Sequence, residues 1–566
     1  MSTRAALIAV LTILLLRWGI GIDYSLSVPA WEAYDEPGHF SYAVTLANLA
    51  RLPTTEEATQ NPEAIQPPLY YALMAVMLRI SGTDTSGFQL PDRNPQFYAN
   101  NGSVNYALHR SQPSASAERD ETALHFLRLF TLLMTLPAVA FAYRLFRLLG
   151  AQHFVLCTFL FALWPQALFN GAMVTNDALT LTLGTLITWL LARALRVGMS
   201  LREGMMILLV IGIGAMVKLN LLLMLIPFGV VIVLKARRRG VLIVGAVVVG
   251  IVSMIVLGSV PGILLPFNNL SAKGESMLIA IWRNLTSDGG WMLVPDGLRY
   301  LVHSSVGLFG WGNVALPAWA QGLIVGLLAL AVIGGVRWLF VRRQIPQQTI
   351  LLIMIVAAQI VGGMALMLFY QTIHLLNGRY LLPALSAICV MLVSGWVELG
   401  RRGERLIGVV VVGVLLAGFV IPPYIAGFYQ RPPAMIDSYP IRTPREFQSG
   451  VRLVGYTIEG LDRAVFITLY WSISRPVTDD YFVRIEVIGA NGNGYGLFDS
   501  IPGHGNHPTT NWIVGEIFGD DYRLPIRSDA PASQGHIRVT MIAVKNPKDR
   551  VSFDLIDAPF DLQVLR

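Results

Sequence analysis

Charged residues are scarce in this sequence. Of 566 residues, 14% are Asp, Glu, Lys or Arg and 54% are hydrophobic, whereas soluble domains carry about 25% charged residues. The composition therefore excludes an ordinary soluble domain and indicates a polytopic membrane protein.

Several kinds of chemistry lack their usual residues. The two cysteines, Cys157 and Cys389, lie in separate apolar runs, so we expect no disulfide and no thiol metal site. No GxxxxGKS or GxxxxGKT loop is present, so nothing indicates ATP hydrolysis. The net charge is +7, but the basic residues form short clusters between apolar runs. That pattern reflects membrane topology, so we expect no nucleic-acid partner.

The long apolar runs are abundant. Eleven candidate spans lie at 5–22, 126–147, 153–171, 177–195, 204–217, 219–234, 241–260, 317–340, 349–370, 380–397 and 405–424. If all eleven cross the bilayer, the basic clusters of the short loops fall on one side. The positive-inside rule then predicts a multi-pass protein of the plasma membrane, surrounded by membrane lipids, with a cytoplasmic N-terminus.

The remaining segments are predicted to lie outside the cell membrane. Residues 23–125 form a long first outer loop, in which the apolar stretch 66–80 is predicted to be an interfacial helix. Residues 261–316 form a second outer loop with three tryptophans suited to the headgroup zone, Trp282, Trp291 and Trp311. Beyond residue 438, runs such as 465–471, 482–487 and 536–541 alternate with period two, and Asn491-Gly492 is a turn signal.

The predicted architecture is therefore a polytopic α-helical membrane protein with about eleven transmembrane helices and a C-terminal extracytoplasmic all-β sandwich. The membrane domain comprises residues 1–437 and the β domain residues 438–566.

One stretch of the first outer loop, residues 34–42, carries two adjacent acids, a histidine and three aromatic rings. Pro37 can begin a helix, which would place Asp35 and Glu36 at its N-terminal end, where the dipole favours ionised acids. A carboxylate held there is a candidate general base or cation ligand. The alternative is a helix start with acidic caps and no further role.

Further charges are predicted on the same outer side. Asp177 begins the fourth span, Lys218 lies between the fifth and sixth, Arg379 begins the tenth and Arg128 begins the second. Each has a simpler explanation, an N-cap for the acid and snorkelling for the cations. Their recurrence at one face nevertheless favours a site for a phosphorylated lipid, because ionisable groups at membrane depth are costly.

A metal site has weaker support in the sequence. No HxxxH pair accompanies His39, so a polar lining role is expected for it. We expect no obligatory metal or cofactor, although Asp35, Glu36 and Asp177 could together hold one divalent ion. Arg17, within the first span, has no sequence-based explanation.

These motifs together resemble those of the GT-C membrane glycosyltransferases. They are Asp35-Glu36 after the first span, the Pro67-Pro68-Leu69-Tyr70-Tyr71 segment, Asn176-Asp177, Lys218, and Gly378-Arg379-Tyr380-Leu381-Leu382-Pro383. Over about residues 1–425 the pattern is similar to the protein mannosyltransferase and aminoarabinose transferase-like group, known as glycosyltransferase family 39. The family relation implies transfer of a sugar, with inversion, from a polyprenyl-phosphate carrier to a glycan, lipid or protein acceptor on the outer face.

The resemblance also implies roles for individual residues. Asp35 matches the first acid of the family's loop pair, which would act as the base or orient the acceptor, and Glu36 and Asp177 are the other catalytic candidates. Lys218 and Arg379 match cations near the donor phosphate, to which Arg128 is added. The substrate-binding candidates are His39, Gln66, Tyr70, Asn176 and Tyr380. Gln66 departs from the pattern, because some members carry Lys or His at that place and a neutral amide cannot supply the charge.

Two other functions remain open from the sequence. A transporter or flippase for a lipid-linked sugar could also line a cavity with acids and cations, although no internal repeat supports it. A non-catalytic scaffold would leave the outer charges without a shared purpose. In the β domain, the polar loop 503–508 is predicted to be an exposed contact surface for a glycan or other acceptor.

The predicted topology can be tested by cysteine-accessibility labelling. Single cysteines at Ser86 and Ser528 should both react with a membrane-impermeant reagent applied outside intact cells, since both lie in outer segments. A cysteine in the basic 235–239 loop is the matched cytoplasmic control and should react only after permeabilisation. Protection of either outer position would contradict the assigned sidedness of the whole site.

Overall fold

A computed structural model of the chain describes residues 3–94, 96–99, 105–109, 114–150, 153–236, 239–258, 277–287, 289–341, 344–429, 436, 445–447, 449–461, 464–530, 534–548 and 550–561. The chain divides into two units. The first comprises Met1–Leu90 and Glu118–Phe428, and the second comprises Pro91–Ala117 and Tyr429–Arg566.

The first unit is almost entirely helical. The α-helices of the described residues are α1 Thr3–Ser27, α2 Glu36–Leu49, α3 Thr55–Gln60, α4 Leu69–Ser81, α5 Gln96–Ala99, α6 Ala115–Leu148, α7 Phe154–Ala162, α8 Pro165–Gly171, α9 Asp177–Val197, α10 Leu201–Ala215, α11 Leu225–Lys235, α12 Arg239–Gly258, α13 Met277–Thr286, α14 Leu293–Val306, α15 Ala318–Val341, α16 Gln347–Tyr370, α17 Leu385–Val397 and α18 Arg401–Phe428. All of them belong to the first unit except α5 and the start of α6, which belong to the second. Short 3-10 helices cover Pro62–Ile65, Leu219–Met224, Gly290–Met292, Ile373–Leu376 and Gly378–Ala384, and the hairpin of β1 Leu308–Phe309 and β2 Val314–Ala315 follows α14.

The polytopic helical architecture predicted from the sequence is confirmed. Within the described ranges, seven helices are long and apolar enough to cross a membrane, or eight if the bent pair α7 and α8 counts as one span. Shorter helices occupy the other predicted spans: α10, α11 with the preceding 3-10 turn, and α12. Residues 259–276, and with them part of the second outer loop, lie outside the described residues.

One predicted span is broken. The sequence predicts a single helix over 153–171, but α7 ends at Ala162 and α8 begins at Pro165, with a bend of 49° between them. Proline lacks the N–H that a continuous helix needs, so carbonyl groups at the break lose partners. Arg17 bridges the break, since its Nη1 donates to Ala162 O, at the end of α7, at 2.6 Å and its Nη2 donates to Ala167 O, within α8, at 3.1 Å. This explains a buried arginine in the first span.

Close helix contacts set the position of the segment before α17. A Cβ added at Gly184, in the middle of α9, would lie 2.5 Å from the Cα of Pro383. Only glycine therefore lets the 3-10 helix Gly378–Ala384 pack this closely against α9. Small residues serve the same purpose at helix contacts in membranes generally. The consequence is that the 3-10 helix before α17 is held closely against the middle of α9.

The predicted interfacial helix exists as α4. Its buried face carries Tyr70, Tyr71 and Met74, and the Leu69 N–H donates to Met216 O, at the end of α10, at 3.0 Å. The helix is thus tied to the body of the first unit. Its orientation along the bilayer stays a prediction.

The second unit contains the predicted all-β region. Its strands are β3 Arg445–Glu446, β4 Val451–Leu461, β5 Ala464–Ile473, β6 Tyr481–Gly489, β7 Gly494–Ser500, β8 Phe518–Pro525, β9 Gln534–Ala543 and β10 Arg550–Asp561. They form two four-stranded antiparallel sheets, in the orders β10-β9-β6-β7 and β3-β4-β5-β8. Side chains of both sheets share one apolar cluster that includes Trp471, Val483, Tyr522 and Val539. The predicted sandwich is therefore confirmed.

Strand alternation decides which aromatic residues are in the core. Trp471 is fully buried while its neighbour Tyr470 is only partly buried, as opposite-pointing side chains require. Tyr481, Tyr495 and Trp512 are also buried and belong to the same apolar cluster, so these rings stabilise the sandwich.

The loop 503–508 is not an exposed surface, so that part of the sequence interpretation is wrong. Apart from His504, its residues are buried. Asn94 donates to Gly505 O at 2.8 Å and to the Asn506 side chain at 3.2 Å, and the Asn105 N–H donates to Asn506 Oδ1 at 2.9 Å. The polar loop is thus satisfied by residues 91–117, which the sequence analysis placed in the first outer loop.

Candidate functional site

The first ion pair of the site joins Asp35 to Arg379. Asp35 is the N-cap of α2 with a left-handed backbone, φ 61° and ψ 2°, and its side chain makes no capping hydrogen bond. Its Oδ2 instead accepts from Nη2 of Arg379 at 2.7 Å. A left-handed conformation is uncommon for residues other than glycine, and such outliers collect at functional sites. The turn presents this carboxylate to the arginine and not to the helix.

Local contacts fix the backbone position from which the Arg379 side chain extends. The Arg379 N–H donates to Asn377 Oδ1 at 3.0 Å, and the Gly378 N–H donates to Ser304 Oγ at 2.9 Å. A Cβ at Gly378 would lie 2.3 Å from the backbone of Ser305. Glycine at 378 is therefore required for the 3-10 helix to approach α14.

The Arg379 guanidinium is buried against aromatic rings. Its Cζ lies 4.2 Å from the ring centre of Tyr34 and 5.4 Å from that of Tyr380, within the range of cation–π attraction. Only 9% of the residue is exposed. Its Nε makes no hydrogen bond to any described residue. One buried N–H donor of Arg379 thus has no acceptor among the described residues.

The second ion pair joins Lys218 to Asp177. Lys218 Nζ lies 2.5 Å from Asp177 Oδ1, and both side chains are almost completely buried. Asn176 Nδ2 donates to Val217 O at 3.3 Å, which links the start of α9 to the turn after α10. Buried charges cost several kcal/mol unless they are paired. The pairing explains how a lysine is tolerated at the end of a membrane helix.

The two ion pairs meet at Tyr380. Lys218 Nζ lies 4.9 Å from the centre of the Tyr380 ring, whose other cation neighbour is Arg379. The charges of Lys218 and Asp177 also act on Asp35 through space. Asp35, Asp177, Lys218, Arg379 and Tyr380, predicted from distant parts of the sequence, are therefore brought together.

Glu36 and Arg128 form a third pair, which is completely buried. Arg128 donates from Nε and Nη2 to the two Glu36 oxygens, at 2.8 and 2.5 Å. Its other N–H groups donate to the carbonyls of Ser25, Val28 and Pro29. All five donors of the guanidinium are thus engaged within the protein. Arg128 has no free N–H group for a donor phosphate, and Glu36 has no exposed oxygen for proton transfer. Both residues therefore support the site structurally.

A carboxylate that the sequence analysis missed lies beside His39. Glu63 Oε2 is 3.6 Å from His39 Nδ1, which also lies 2.8 Å from the Tyr71 hydroxyl. Asn61 holds this region in place, donating from Nδ2 to Gly38 O at 2.9 Å and accepting the Glu63 N–H at 3.1 Å. The sequence Asn61-Pro62-Glu63 reads as a capped helix start, but its pairing with α2 is tertiary and cannot be read from spacing.

Burial changes the titration of these outer groups. It raises the pKa of Asp35 above its usual range, while the charge and hydrogen bond of Arg379 oppose the rise. It raises the pKa of Glu63 to about 8, assisted by the charge of Asp35. Burial also lowers the pKa of His39, assisted by the charges of Arg379 and Lys218. Desolvation disfavours the ionised form in every case, so His39 is neutral at physiological pH.

Two predicted substrate-binding residues have other partners. The Tyr70 hydroxyl lies 2.8 Å from Thr131 Oγ1 in the interior of α6, and its ring packs edge-on against Tyr71. Gln66 ends the 3-10 helix that carries Glu63, and its backbone N–H donates to Glu63 O at 3.0 Å. Trp311, predicted for the headgroup zone, packs against Tyr34 and donates to Trp31 O. A substrate role for Tyr70 and Gln66 stays a prediction.

Comparison with known proteins gives a coarse placement. Residues 115–388 match a family model described as "Predicted membrane protein (DUF2142)". No curated protein sequence matches the chain. The match does not test the protein mannosyltransferase-like assignment, which stays a prediction.

Two solved structures of an oligosaccharyltransferase from Archaeoglobus fulgidus are similar to the chain. One is the apo form, with a TM-score of 0.39, and the other is AglB in complex with an inhibitory peptide and a dolichol-phosphate, with a TM-score of 0.33. Both are 11% identical to this chain, and each alignment covers 74% of it and 55% of the archaeal chain. The chain thus spans about half the length of these relatives, and the likeness assigns no activity to it.

The structural role of the third pair predicts a large stability loss on breaking it. Arg128→Gln leaves Glu36 buried without its cation and should destabilise the protein by about 3–5 kcal/mol. Arg119 lies on the same helix and pairs with Asp84 at 3.5 Å, but that pair is largely exposed, so Arg119→Gln should cost at most about 1 kcal/mol. Thermal unfolding of the purified protein in detergent measures both. Equal melting temperatures for the two variants would contradict the assigned role of Arg128.

Proposed function

We propose that this protein is a glycosyltransferase of the plasma membrane that moves a sugar from a polyprenyl-phosphate carrier to an acceptor at the outer face. The observation that carries the proposal is the meeting of two buried ion pairs at Tyr380, with one Arg379 N–H left without a partner among the described residues. The proposed acceptor classes are a glycan, a lipid and a protein.

The two cations suit the phosphate of such a donor. Arginine and lysine are the usual partners of phosphate oxygens, and an arginine can offer more than one N–H. Arg379 Nε is unpaired within the described residues, and Nη2 is shared with Asp35. A phosphate that binds here therefore accepts hydrogen bonds from Arg379 and weakens the ion pair between Arg379 and Asp35.

The released Asp35 is placed to act as the base. In the proposed step an acceptor hydroxyl attacks the anomeric carbon of the sugar, and its proton passes to the Asp35 carboxylate. The bond between that carbon and the phosphate oxygen breaks with inversion, and the polyprenyl phosphate leaves with the bonding electrons. Lys218 and Arg379 stabilise the charge that develops on the leaving phosphate. A positioned base contributes about 10²–10⁴-fold to a rate.

The remaining predicted residues support this arrangement. Asp177 orients Lys218 through their ion pair, and Asn176 ties the two segments together. Glu36 and Arg128 hold the turn that carries Asp35. The apolar helices around the site suit a donor whose carrier is a long hydrocarbon chain.

Movement of a lipid-linked sugar across the membrane is the second candidate. The broken span of α7 and α8, bent by 49°, is the observation that favours it, because discontinuous helices are frequent in transporters. Transport and transfer use the same binding chemistry but leave different products.

The decisive experiment supplies radiolabelled polyprenyl-phosphate sugars to the purified protein in lipid vesicles, with soluble and lipid acceptors. We expect the label to appear in a covalent product and polyprenyl phosphate to be released in equal amount. Protein-free vesicles and vesicles containing Asp35→Asn are the controls. Movement of unmodified donor between leaflets, without any product, would decide for the transporter.

Variants separate the roles of the base and the cations. Asp35→Asn should lower kcat by about 10²–10⁴-fold while donor affinity is retained, because Arg379 then has no competing carboxylate. Arg379→Ala and Lys218→Ala should each weaken donor binding by about 1.5–3 kcal/mol. Two exposed residues of α14, Arg299 and Asp296, give the matched controls Arg299→Ala and Asp296→Asn, which should change neither quantity. Undiminished turnover in Asp35→Asn would remove this residue from the base role.

A further inference from the structure

Three side chains of the first unit have the spacing of metal ligands. One carboxylate oxygen of Asp35, one of Glu63 and one ring nitrogen of His39 all lie within 4.8 Å of one another. Ligands bound to one ion at about 2.0–2.2 Å lie about 3–4 Å apart. The three groups therefore need only a small contraction to surround a single ion.

The charge balance of the pocket leaves room for a cation. Within the described residues, Asp35, Glu36 and Asp177 each pair with an arginine or a lysine. Glu63 has no such partner there, and its ion-pair contact is with His39. An ionised carboxylate buried without a cation is costly, so Glu63 is the carboxyl group of the described site that a bound cation would stabilise in its ionised form.

The ligand side chains are held in place by their surroundings. Tyr71 holds the His39 ring in place beside Glu63, because the two rings stack with 5.7 Å between their centres and the Tyr71 hydroxyl lies 2.8 Å from Nδ1. Gly38 allows Glu63 to approach, because a Cβ at this position would lie 2.9 Å from Glu63 Cγ. Arg379 occupies one oxygen of Asp35, and a carboxylate has further lone pairs for an ion.

We propose that Asp35, His39 and Glu63 bind one divalent transition-metal ion of the manganese or zinc class. Two carboxylates with one imidazole favour these ions over calcium, which takes oxygen ligands, and magnesium, which usually keeps water and carboxylate oxygens. This ligand set differs from Asp35, Glu36 and Asp177, the set considered from the sequence, because Glu36 and Asp177 are each engaged by a cation.

The ion changes the charge of the pocket toward an anionic ligand. A divalent ion held by the Asp35 and Glu63 carboxylates and the neutral His39 ring, beside Asp177, Lys218 and Arg379, gives the pocket one excess positive charge. That charge suits a phosphodiester. Binding of the ion itself does not depend on the proposed transfer reaction.

The test is a direct measurement of metal binding. The purified full-length protein is stripped with EDTA and titrated with Mn²⁺, and the unbound ion is followed by its electron paramagnetic resonance signal. We expect one Mn²⁺ per chain, with modulation from an imidazole nitrogen in the pulsed spectrum. Zn²⁺ should displace it, whereas equal concentrations of Ca²⁺ should not.

Variants assign the ligands. Glu63→Gln and His39→Gln should each weaken Mn²⁺ binding at least about tenfold, and His39→Gln should abolish the nitrogen modulation. Glu56→Gln, an exposed glutamate of the same outer loop, is the control and should bind as the wild type does. Absence of stoichiometric Mn²⁺ and Zn²⁺ binding by the wild-type protein would overturn the proposal, as would unchanged affinity in both ligand variants. A protein that binds the ion but transfers no sugar would refute the proposed function alone.

Discussion

The buried pair of Glu36 and Arg128 is the interaction on which the geometry of the candidate site depends. Arg128, from the middle of α6, reaches the carbonyls at the end of α1 and both oxygens of Glu36 in the first turn of α2. Glu36 Oε1 also accepts the Val174 N–H, just before α9. One ion pair thus fixes the residue next to Asp35 and a residue close to Asp177. Because both partners are inaccessible to water, neither can move without leaving a charge buried alone.

The same electrostatic rule shapes the rest of the site. Lys218 and Arg379 lie at the ends of apolar helices, where an unpaired cation is expensive, and each has a carboxylate within hydrogen-bonding distance. In the proposed reaction, a donor phosphate competes with Asp35 and Asp177 for these cations. This competition would couple donor binding to the release of Asp35, because the carboxylate becomes available only when the arginine pairs with another anion.

Much of the architecture follows from local sequence patterns. Apolar length and basic clusters predict the spans, and period-two alternation predicts β5, β6 and β9. The charges that recur at one end of the predicted spans correctly predict that Asp35, Asp177, Lys218 and Arg379 lie close together. This prediction was possible because each residue lies at a helix boundary that the hydropathy pattern locates. The break at Pro165 was visible as a proline, but its stabilisation by Arg17 depends on a contact between distant helices. Glu63 was missed for the same reason, since only the packing of Gly38 against Asn61 brings it to His39.

The second unit is assembled from two stretches that are far apart in the chain. Residues 91–117 leave the first unit and return to it, so three peptide connections join the units, at 90–91, 117–118 and 428–429. A ribosome releases residues 91–117 long before the loop 503–508, so the hydrogen bonds of Asn94 and of the Asn105 N–H with Asn506 can form only late in synthesis. For the same reason the β sandwich is not a detachable module. A truncation or exchange at residue 429 would remove the strands but leave their partner segment behind in the membrane-bound remainder.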